Sequence, residues 1–386
     1  MLERPPINLD ANASYGVLPE VIEGVSEAFG TLNPSSIHGG GQRARALIEL
    51  ARDRVAALLG LKGGERIVFT SGATEANTTA LLSPFLESGR GAPDGVYWIT
   101  SALEHHSVLE PCARLTSLGY PGKVLDAPQG SLTAAALEAA LTPDTRIVAA
   151  MYANNETGHI TPLHEIAGAI KARNAATLIH VDAVQLLGKS ETQLFELPID
   201  SASFSAHKIG GLPGTGALVL RRDMPYGPLF VGGSQEVRFR AGTENVPGIV
   251  AFGIAAEVVQ RSLHQRIEKL HADRVFLEES LRHSIKDLAF NHPFERGLPN
   301  TLSVTFPGLR ADDLIVALDL VGVFVSSGAA CASGKPEPSH VLRGLGLSDG
   351  ATRSTIRISL RADHTEAELR NAVQAIVSCV EAGRGR

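Results

Sequence analysis

From about residue 43 to residue 220, helical segments alternate with short apolar segments, and this alternation restricts the possible folds more than any other feature of the chain. The first helical segment, 42–61, carries its apolar residues at helical spacing. Apolar runs typical of strands then follow at 65–70, 95–100, 145–153, 176–183, 201–206 and 216–221. This order predicts an α/β fold whose mostly parallel sheet has helices on both faces.

The pattern changes near residue 258, where a long charged helix is predicted over 261–285. Sparser strands and a closing helix are predicted after it, at 300–306, 323–328, 354–360 and 365–381. A chain of 386 residues is long enough for two domains. We therefore predict a large domain over 16–258 and a smaller α+β domain over 259–386, joined by the N-terminal segment 1–15.

Composition argues against several classes of protein. A net charge of -6 without a cluster of Lys and Arg argues against a nucleic-acid partner. No apolar run approaches the roughly 20 residues of a membrane helix, and the start MLERPPINLD lacks the apolar core of a signal peptide. The three cysteines have neither metal-binding nor disulfide spacing, so we expect no metal site and a reducing, cytoplasmic location.

In parallel α/β sheets, ligands bind where the strands end. The segment SGATE (71–75) places small residues at a helix N-terminus, where N–H groups and the helix dipole favour an anion. An ordinary capping segment would look the same. The next two strands are followed by EHH (104–106) and NNETG (154–158). Each of these segments could be a polar loop or could present a side chain to a ligand.

Two charged residues follow buried strands. Asp182 comes directly after LIHV, and Lys208 follows the strand 201–205. A buried charge is costly unless it is paired, although Asp182 could also cap a helix. A lysine that forms a Schiff base avoids this cost. An anion site, a ring-facing histidine, a buried carboxylate and a lysine are together what a pyridoxal phosphate site requires.

Cys331 lies in an unusual segment, VSSGAACASGKPEPSH (325–340). A core cysteine normally has large apolar neighbours, whereas this one is surrounded by small residues and is followed by two prolines. The segment is too rich in Gly and Pro for a helix or a long strand. Cys331 is therefore either incidental or a reactive thiol on a flexible arm.

Seven motifs in these segments resemble those of the NifS/IscS-type cysteine desulfurases, which are pyridoxal phosphate enzymes of the class V aminotransferase family. They occur in the family's order over most of the chain. The motifs are FTSGATEANTTAL (69–81), LEHHSVL (103–109), NNETG (154–158), HVDAVQLLGK (180–189), SFSAHKIGG (203–211), RAGTENVPGIVAFG (240–253) and SSGAACASGKPEPSHVLRGLGL (326–347).

The resemblance implies the fold of type I pyridoxal phosphate enzymes, similar to aspartate aminotransferase, and a role for each matching residue. Lys208 would form the Schiff base with the cofactor. Asp182 would pair with the protonated pyridine nitrogen, and Gln185 would hydrogen-bond the ring hydroxyl oxygen. His105 would stack on the ring and act in catalysis together with Lys208 and Cys331.

Further implied roles concern the phosphate and the substrate. The implied phosphate ligands are Ala73, Thr74, Ser205 and His207. Thr243 would reach the phosphate of the partner subunit, which implies a homodimer. Asn155 would contact both cofactor and substrate, and with Arg357 would hold the substrate carboxylate. Since strands often carry ordinary ion pairs, a structural salt bridge is the alternative for Arg357.

The implied reaction converts L-cysteine to L-alanine and leaves a persulfide on Cys331. The sulfur would then pass to an acceptor, such as an Fe–S scaffold protein. An unperturbed thiol is only about 3% thiolate at pH 7, so Cys331 would need a nearby base or cation. The length of its segment is similar to that of the long-loop branch of the family.

Two departures from the family pattern leave alternatives open. The family's LDNNATT is LDANASYG here, so Tyr15 is expected to reshape the substrate side of the pocket. A selenocysteine lyase or a small-amino-acid aminotransferase is therefore an alternative. The family's GPKG is GLPG (211–214), which lacks the second lysine. A non-catalytic assembly partner is a third possibility, against which the complete set of catalytic residue types argues.

Overall fold

The computed structural model describes residues 5–86, 97–291, 297–327 and 338–385. Its strands are β1 (Ile7–Asn8), β2 (Glu65–Thr70), β3 (Trp98–Ser101), β4 (Gly122–Leu125), β5 (Ile147–Met151), β6 (Leu178–Asp182), β7 (Ser201–Ser205), β8 (Gly216–Arg221), β9 (Ala289–Phe290), β10 (Thr301–Thr305), β11 (Val323–Phe324), β12 (Ser326–Ser327) and β13 (Thr355–Ser359).

The described residues also form thirteen α-helices. They are α1 (Pro19–Gly24), α2 (Ser26–Phe29), α3 (Gly39–Leu58), α4 (Ala73–Leu86), α5 (His106–Ser117), α6 (Ala134–Ala140), α7 (Leu163–Arg173), α8 (Val246–Arg261), α9 (Leu263–Ser284), α10 (Ala311–Leu320), α11 (His340–Gly344), α12 (Asp349–Arg353) and α13 (Glu366–Arg384).

The main sheet has seven strands in the order β2-β8-β7-β6-β5-β3-β4. Strands β7, β6, β5, β3 and β4 pair in parallel, whereas β8 runs antiparallel to both of its neighbours. This confirms the predicted mostly parallel α/β sheet. The carboxyl ends of β2, β5, β6 and β7 therefore meet at one edge of the sheet.

Helices cover both faces of this sheet, because alternate side chains of a strand point to opposite faces. In β6, Ile179 and Val181 pack into the large core that contains buried residues of α3 and α8. Leu178 packs on the other side, with apolar residues of α4 and α5. Burial on both faces explains why the central strands are continuous apolar runs in the sequence.

A second sheet, of order β12-β13-β10-β9, is antiparallel throughout. Buried residues of α9, α10 and α13 pack with it in a separate core. Leu9 of the N-terminal segment belongs to this core, and β1 pairs in parallel with β11. The predicted strand 323–328 is observed as two short strands, β11 and β12, which pair with different partners.

Two further properties concern the described ranges only. No single helix there is long and apolar enough to cross a membrane, although α8 and α9, bent by 76°, meet both criteria as a pair. Among the same residues, no group of three or more His, Cys, Asp or Glu side chains is arranged to hold a metal ion.

Candidate active site

A cavity of about 400 Å³ lies at the edge of the main sheet where β5, β6 and β7 end. Ten of the residues predicted from the sequence line it, namely Ala73, Thr74, His105, Asn155, Asp182, Gln185, Ser205, His207, Lys208 and Arg357. Thr243 is exposed and does not line the cavity. Cys331 lies outside the described residues.

Lys208 ends a single helical turn, Ala206–Lys208, that directly follows β7. Its Nζ donates hydrogen bonds to the carbonyl oxygens of Asn12 (2.7 Å) and Ala13 (2.8 Å). These bonds hold the lysine side chain against the N-terminal segment. Burial, together with the positive charge of Lys208, lowers the pKa of the neighbouring His207 to about 4. His207 is therefore neutral near pH 7.

Asp182 is the last residue of β6, and its carboxylate is buried. Its Oδ2 accepts a hydrogen bond from Nδ2 of Asn77 at 2.9 Å, and its Oδ1 accepts one from the backbone N–H of Val184 at 3.1 Å. The first of these donors comes from α4 and the second from the residues that follow the strand. The carboxylate is therefore fixed in position while it still faces the cavity.

His105 is the N-cap residue of α5, and its side chain faces the cavity. Its Nδ1 accepts a hydrogen bond from the backbone N–H of Ser107 at 3.1 Å. Burial lowers the pKa of His105, while the negative charge of Asp182 opposes this shift only in part. A neutral His105 whose Nδ1 accepts must carry its hydrogen on Nε2.

The N-terminus of α4 forms the anion-binding side of the cavity, since Ser71, Ala73 and Thr74 all line it. The first N–H groups of a helix have no acceptor within the helix, so they can bind an anion. The carboxylate of Glu75 accepts the N–H of Ser71 at 2.8 Å and pairs with Arg240 at 2.9 Å. This ion pair fixes the start of the helix.

Arg357 lies on β13 of the second sheet, and its side chain is only 3% exposed. Its Nη2 contacts Oδ1 of Asp10 at 2.6 Å, and its Nη1 donates to the carbonyl oxygen of Asn155 at 3.2 Å. The buried Nε has no hydrogen-bond partner among the described residues. A buried guanidinium with an unused donor that lines a cavity suits an anionic group of a ligand.

Sequence reasoning missed Asn12, which connects several parts of the site. Its carbonyl oxygen accepts from Lys208 and, at 3.3 Å, from Nε2 of Gln185. Its Nδ2 donates to the carbonyl oxygen of Asn155 at 3.0 Å, and its Oδ1 accepts from Lys189 at 2.8 Å. The residues LDANAS were recognised as a family segment, but an asparagine in a loop gives no sign of its distant partners.

Lys189 was also missed, although it ends one of the seven motifs. Its buried Nζ donates to Oδ1 of Asn12 and to Oε1 of Gln185. Burial lowers its pKa well below the ordinary value, and the charges of Lys208 and Arg357 lower it further. Lys189 thus fixes the orientation of the Gln185 amide. Oε1 of this amide faces Lys189, and Nε2 is the donor on its other side. A lysine directly after an apolar LLG run is the sequence signal that could have revealed it.

The expectation for Tyr15 was wrong. The N-terminal segment lines the cavity through Asn12 and Ala13, and Tyr15 is not among the lining residues. The ring of Tyr15 is buried. The guanidinium carbons of Arg266 and Arg361 lie 4.7 Å and 5.1 Å from the centre of this ring. Tyr15 therefore packs the N-terminal segment against the residues around α9 and β13, and it does not line the pocket.

The side chains of the cavity fit pyridoxal phosphate. The start of α4 suits a phosphate group, the buried carboxylate of Asp182 suits a protonated ring nitrogen, and the amine of Lys208 suits an aldehyde. The guanidinium of Arg357, which lines the cavity, suits the carboxylate of an amino acid substrate. These groups come from four different segments of the chain, so their meeting in one cavity is a property of the fold.

Comparison with known proteins agrees with this chemistry. The sequence matches the family model of class-V aminotransferases over residues 7–371. The chain belongs to the class-V aminotransferase family. The enzymes of this family depend on pyridoxal phosphate, and so does this chain.

Individual members of the family agree as well. A cysteine desulfurase from Trichormus azollae is 41% identical over 97% of this chain and 93% of its own length. A cysteine desulfurase IscS from Dictyoglomus turgidum is 37% identical over 97% of this chain and 94% of its own length. The solved structure of a NifS-like protein matches with a TM-score of 0.89 and 34% identity, covering 98% of this chain and all (100%) of that one. Within the class-V aminotransferases, the chain therefore groups with the cysteine desulfurases, which confirms the resemblance.

Proposed function

We propose that this chain converts L-cysteine to L-alanine and transfers the sulfur atom to Cys331. The reaction balances, because L-cysteine and the Cys331 thiol give L-alanine and a Cys331 persulfide. The observation that carries the proposal is that Lys208, Asp182 and Arg357 face one cavity. The names of the relatives supply the substrate class.

Pyridoxal phosphate, when bound, supplies an aldehyde that takes up the substrate amino group and a ring that accepts electrons from the substrate Cα. We assign Lys208 to hold this cofactor and then to accept the Cα proton on Nζ. The carbonyl oxygens of Asn12 and Ala13 orient Nζ for this purpose. Asp182 holds the positive charge of the ring nitrogen in place, since it is a buried carboxylate with two donors of its own.

The other polar groups bind and orient the substrate. Arg357 is assigned to the substrate carboxylate, because this residue lines the cavity and carries a buried guanidinium whose Nε has no partner among the described residues. Asn155 lies beside this guanidinium, because its carbonyl oxygen accepts a hydrogen bond from Nη1 of Arg357. The neutral His105 can donate a hydrogen bond from Nε2, since its Nδ1 already accepts from the backbone.

Cys331 is assigned as the sulfur acceptor partly because the other two cysteines are unsuitable. Burial raises the pKa of the Cys112 thiol and also that of Cys379. Neither of them lines the cavity. A thiol whose pKa is raised by burial is a poor nucleophile. The segment around Cys331 is rich in Gly, Ala and Ser.

The proposal includes a homodimer, a cytoplasmic location and transfer of the persulfide sulfur to a protein such as an Fe–S scaffold. Thr243 is exposed and is absent from the cavity of its own chain, which supports the idea that it contacts the partner subunit's cofactor. A nucleophilic thiol suits a reducing compartment. Light scattering should give the mass of a dimer, and a fully active monomer would contradict this part.

The test of the reaction is to load the protein with pyridoxal phosphate, add L-cysteine and dithiothreitol, and measure alanine and sulfide. Lys208→Ala should abolish both products together with the visible absorbance of the bound cofactor. Cys331→Ser should keep that absorbance and lose at least about 100-fold in sulfide release, because the nucleophile is gone.

Cys379→Ser is the matched control, since it removes a partly buried thiol that does not line the cavity. It should behave like the wild type. If Cys331→Ser released sulfide as fast as Cys379→Ser, the role of Cys331 would be wrong. If the wild type produced no alanine from cysteine, the proposed reaction would be wrong as well.

A further inference from the structure

The hydrogen bond from Asn77 to Asp182 is the end of a longer buried chain. Oδ1 of Asn77 lies 2.8 Å from Nε2 of His180, and Nδ1 of His180 lies 2.8 Å from Oγ of Ser201. The same Oγ lies 2.9 Å from the hydroxyl of Tyr226. Asn77, His180 and Ser201 are fully buried. Three side chains, those of Asn77, His180 and Ser201, thus connect Asp182 to Tyr226 on the face of the main sheet that α4 covers.

The direction of each hydrogen bond in this chain can be assigned. The ionised carboxylate of Asp182 only accepts, so the Nδ2 group of Asn77 must face it. The Oδ1 of Asn77 then faces His180. An amide oxygen also only accepts, so Nε2 of His180 must donate to it. The orientation of one amide therefore fixes the tautomer of the histidine.

His180 is neutral, because burial lowers its pKa to about 3. With its one ring hydrogen on Nε2, its Nδ1 accepts from the hydroxyl of Ser201. Ser201 in turn accepts from Tyr226, whose pKa is raised by burial so that its hydroxyl keeps the hydrogen. Every donor in the chain points toward Asp182. Hydrogen bonds aligned in this way polarise and strengthen one another.

Asn77 also serves a second branch. Its Nδ2 group carries another hydrogen, which is donated to Oγ of Ser107 at 2.8 Å. Oγ of Ser107 lies 2.8 Å from Nδ1 of His105, which also accepts the backbone N–H of Ser107. The Ser107 hydroxyl therefore donates to His105. One amide group contacts the carboxylate of Asp182 and, through one hydroxyl, orients the ring of His105.

We propose that Asn77 is a positioning residue that couples Asp182 to His105, and that the relay of His180, Ser201 and Tyr226 stabilises the negative charge on Asp182. The inference rests on cofactor binding at this site and not on the reaction with cysteine. A stabilised carboxylate keeps the proton on the ring nitrogen of pyridoxal phosphate. The positive charge at that nitrogen lowers the proton affinity of the Lys208 nitrogen that carries the cofactor.

The test is a pH titration of the visible absorbance of the cofactor-loaded protein, without cysteine. Asn77→Leu removes the donors to both branches, and Ser201→Ala removes one hydroxyl of the relay. In Asn77→Leu the midpoint should rise by about one pH unit, because a hydrogen bond to a charged group is lost. In Ser201→Ala it should rise by less, in the same direction. The affinity for pyridoxal phosphate should fall about tenfold in Asn77→Leu.

Thr177→Val is the matched control for Ser201→Ala. It also removes one fully buried hydroxyl, which donates to the carbonyl oxygen of Thr145 at 2.7 Å, but it lies before β6, at the opposite end from Asp182. Its midpoint should equal that of the wild type. Circular dichroism and thermal unfolding establish that each variant is folded.

The inference would be overturned if folded Asn77→Leu and Ser201→Ala both titrated like Thr177→Val. If Asn77→Leu does not fold, Ser201→Ala decides alone, because a shift supports the relay and no shift overturns it. A wild type that binds no cofactor would instead overturn the use of this site. Failure to act on cysteine leaves the titration intact, so failure of the proposed reaction and failure of the relay are distinguishable.

Discussion

Nη2 of Arg357 contacts Oδ1 of Asp10 at 2.6 Å, which links β13 of the second sheet to the N-terminal segment beside the cavity. The side chain of Arg357 is 3% exposed and that of Asp10 is 24% exposed, so the ion pair is largely shielded from water. We infer that Asp10 holds the guanidinium in the orientation that a substrate carboxylate requires.

Replacing Asp10 should therefore affect substrate binding. Asp10→Ala should lower kcat/KM for L-cysteine about tenfold, because it removes a charge-assisted hydrogen bond that orients Arg357. Asp10→Asn keeps an acceptor at Oδ1 and should retain most of the activity. Steady-state kinetics with alanine as the measured product check both values.

Asp349 provides the control for this comparison. It forms an exposed ion pair with Arg343 at 2.9 Å, and neither residue lines the cavity. Asp349→Ala should leave kcat/KM unchanged. The assignment of Asp10 would be wrong if Asp10→Ala matched Asp349→Ala, or if Asp10→Asn were as damaging as Asp10→Ala.

The strands of the main sheet and the residues after them could be predicted from the sequence for a physical reason. Strands buried on both faces are continuous apolar runs, so the polar residues at their ends stand out. Asp182 and Lys208 were found in this way, and the structure places both at the cavity. Strand β4 was missed because it is a partly exposed edge strand, GKVL, with no apolar run.

The polar network behind the cavity could not be predicted, because it depends on long-range contacts. Asn12 and Lys189 are separated by 177 positions, and Asn77 and His180 by 103. No local pattern indicates such a pair. Asn77 did carry a weak signal, since asparagine is a poor residue for the interior of a helix and needs a hydrogen-bonding reason to be there.

The contact of Asn12 with Lys189 should be visible as a coupling free energy. Asn12→Ala should lower the free energy of unfolding by about 2 kcal/mol or more, because it leaves the buried amine of Lys189 with fewer acceptors. When Lys189 has already been replaced by Met, Asn12→Ala should lower the free energy of unfolding by a smaller amount. A double-mutant cycle by urea unfolding should give a coupling of at least about 1 kcal/mol.

Thr177→Val again supplies the control, since Thr177 is buried and its hydroxyl donates to the carbonyl oxygen of Thr145 and not to Asn12. Its effect on the free energy of unfolding should add to that of Asn12→Ala. If the effects of Asn12→Ala and Lys189→Met were as additive as those of Asn12→Ala and Thr177→Val, a direct contact between Asn12 and Lys189 would be contradicted.

Tyr15 should matter for stability and not for substrate choice. Its hydroxyl accepts the backbone N–H of Ala362 at 3.1 Å, and its ring lies between two guanidinium groups. Tyr15→Phe keeps the ring and should lower the free energy of unfolding by about 1 kcal/mol. Tyr15→Leu should lower it further, because the cation–π contacts are also lost.

Substrate preference separates this view from the expectation that Tyr15 shapes the pocket. The ratio of kcat/KM for L-cysteine to that for L-selenocysteine should be the same in Tyr15→Phe and in the wild type. A changed ratio would mean that Tyr15 reaches the substrate after all, and would revive the alternative of a selenocysteine lyase.

Glu104 should make stability fall as the pH rises. Its Oε1 accepts from the hydroxyl of Ser101 (2.9 Å) and the N–H of Met151 (3.0 Å), whereas its buried Oε2 has no partner among the described residues. Burial raises the pKa of Glu104 from 4.5 to about 8, and the negative charge of Asp182 acts in the same direction. The folded protein therefore keeps a proton on Glu104 at pH values where the unfolded chain has lost it.

The sign of the pH dependence follows from this difference. Between about pH 4.5 and pH 8 the unfolded chain binds fewer protons at this site, so raising the pH favours unfolding by up to about 1.4 kcal/mol per pH unit. Glu104→Gln has no proton to lose and should show a flatter decline. Urea unfolding at pH 5.5, 6.5 and 7.5 measures the slope. Glu110→Gln, which replaces an exposed carboxylate on α5, should keep the wild-type slope. Parallel slopes for the two variants would mean that Glu104 is ionised in the folded protein, with a cation or a water molecule at Oε2.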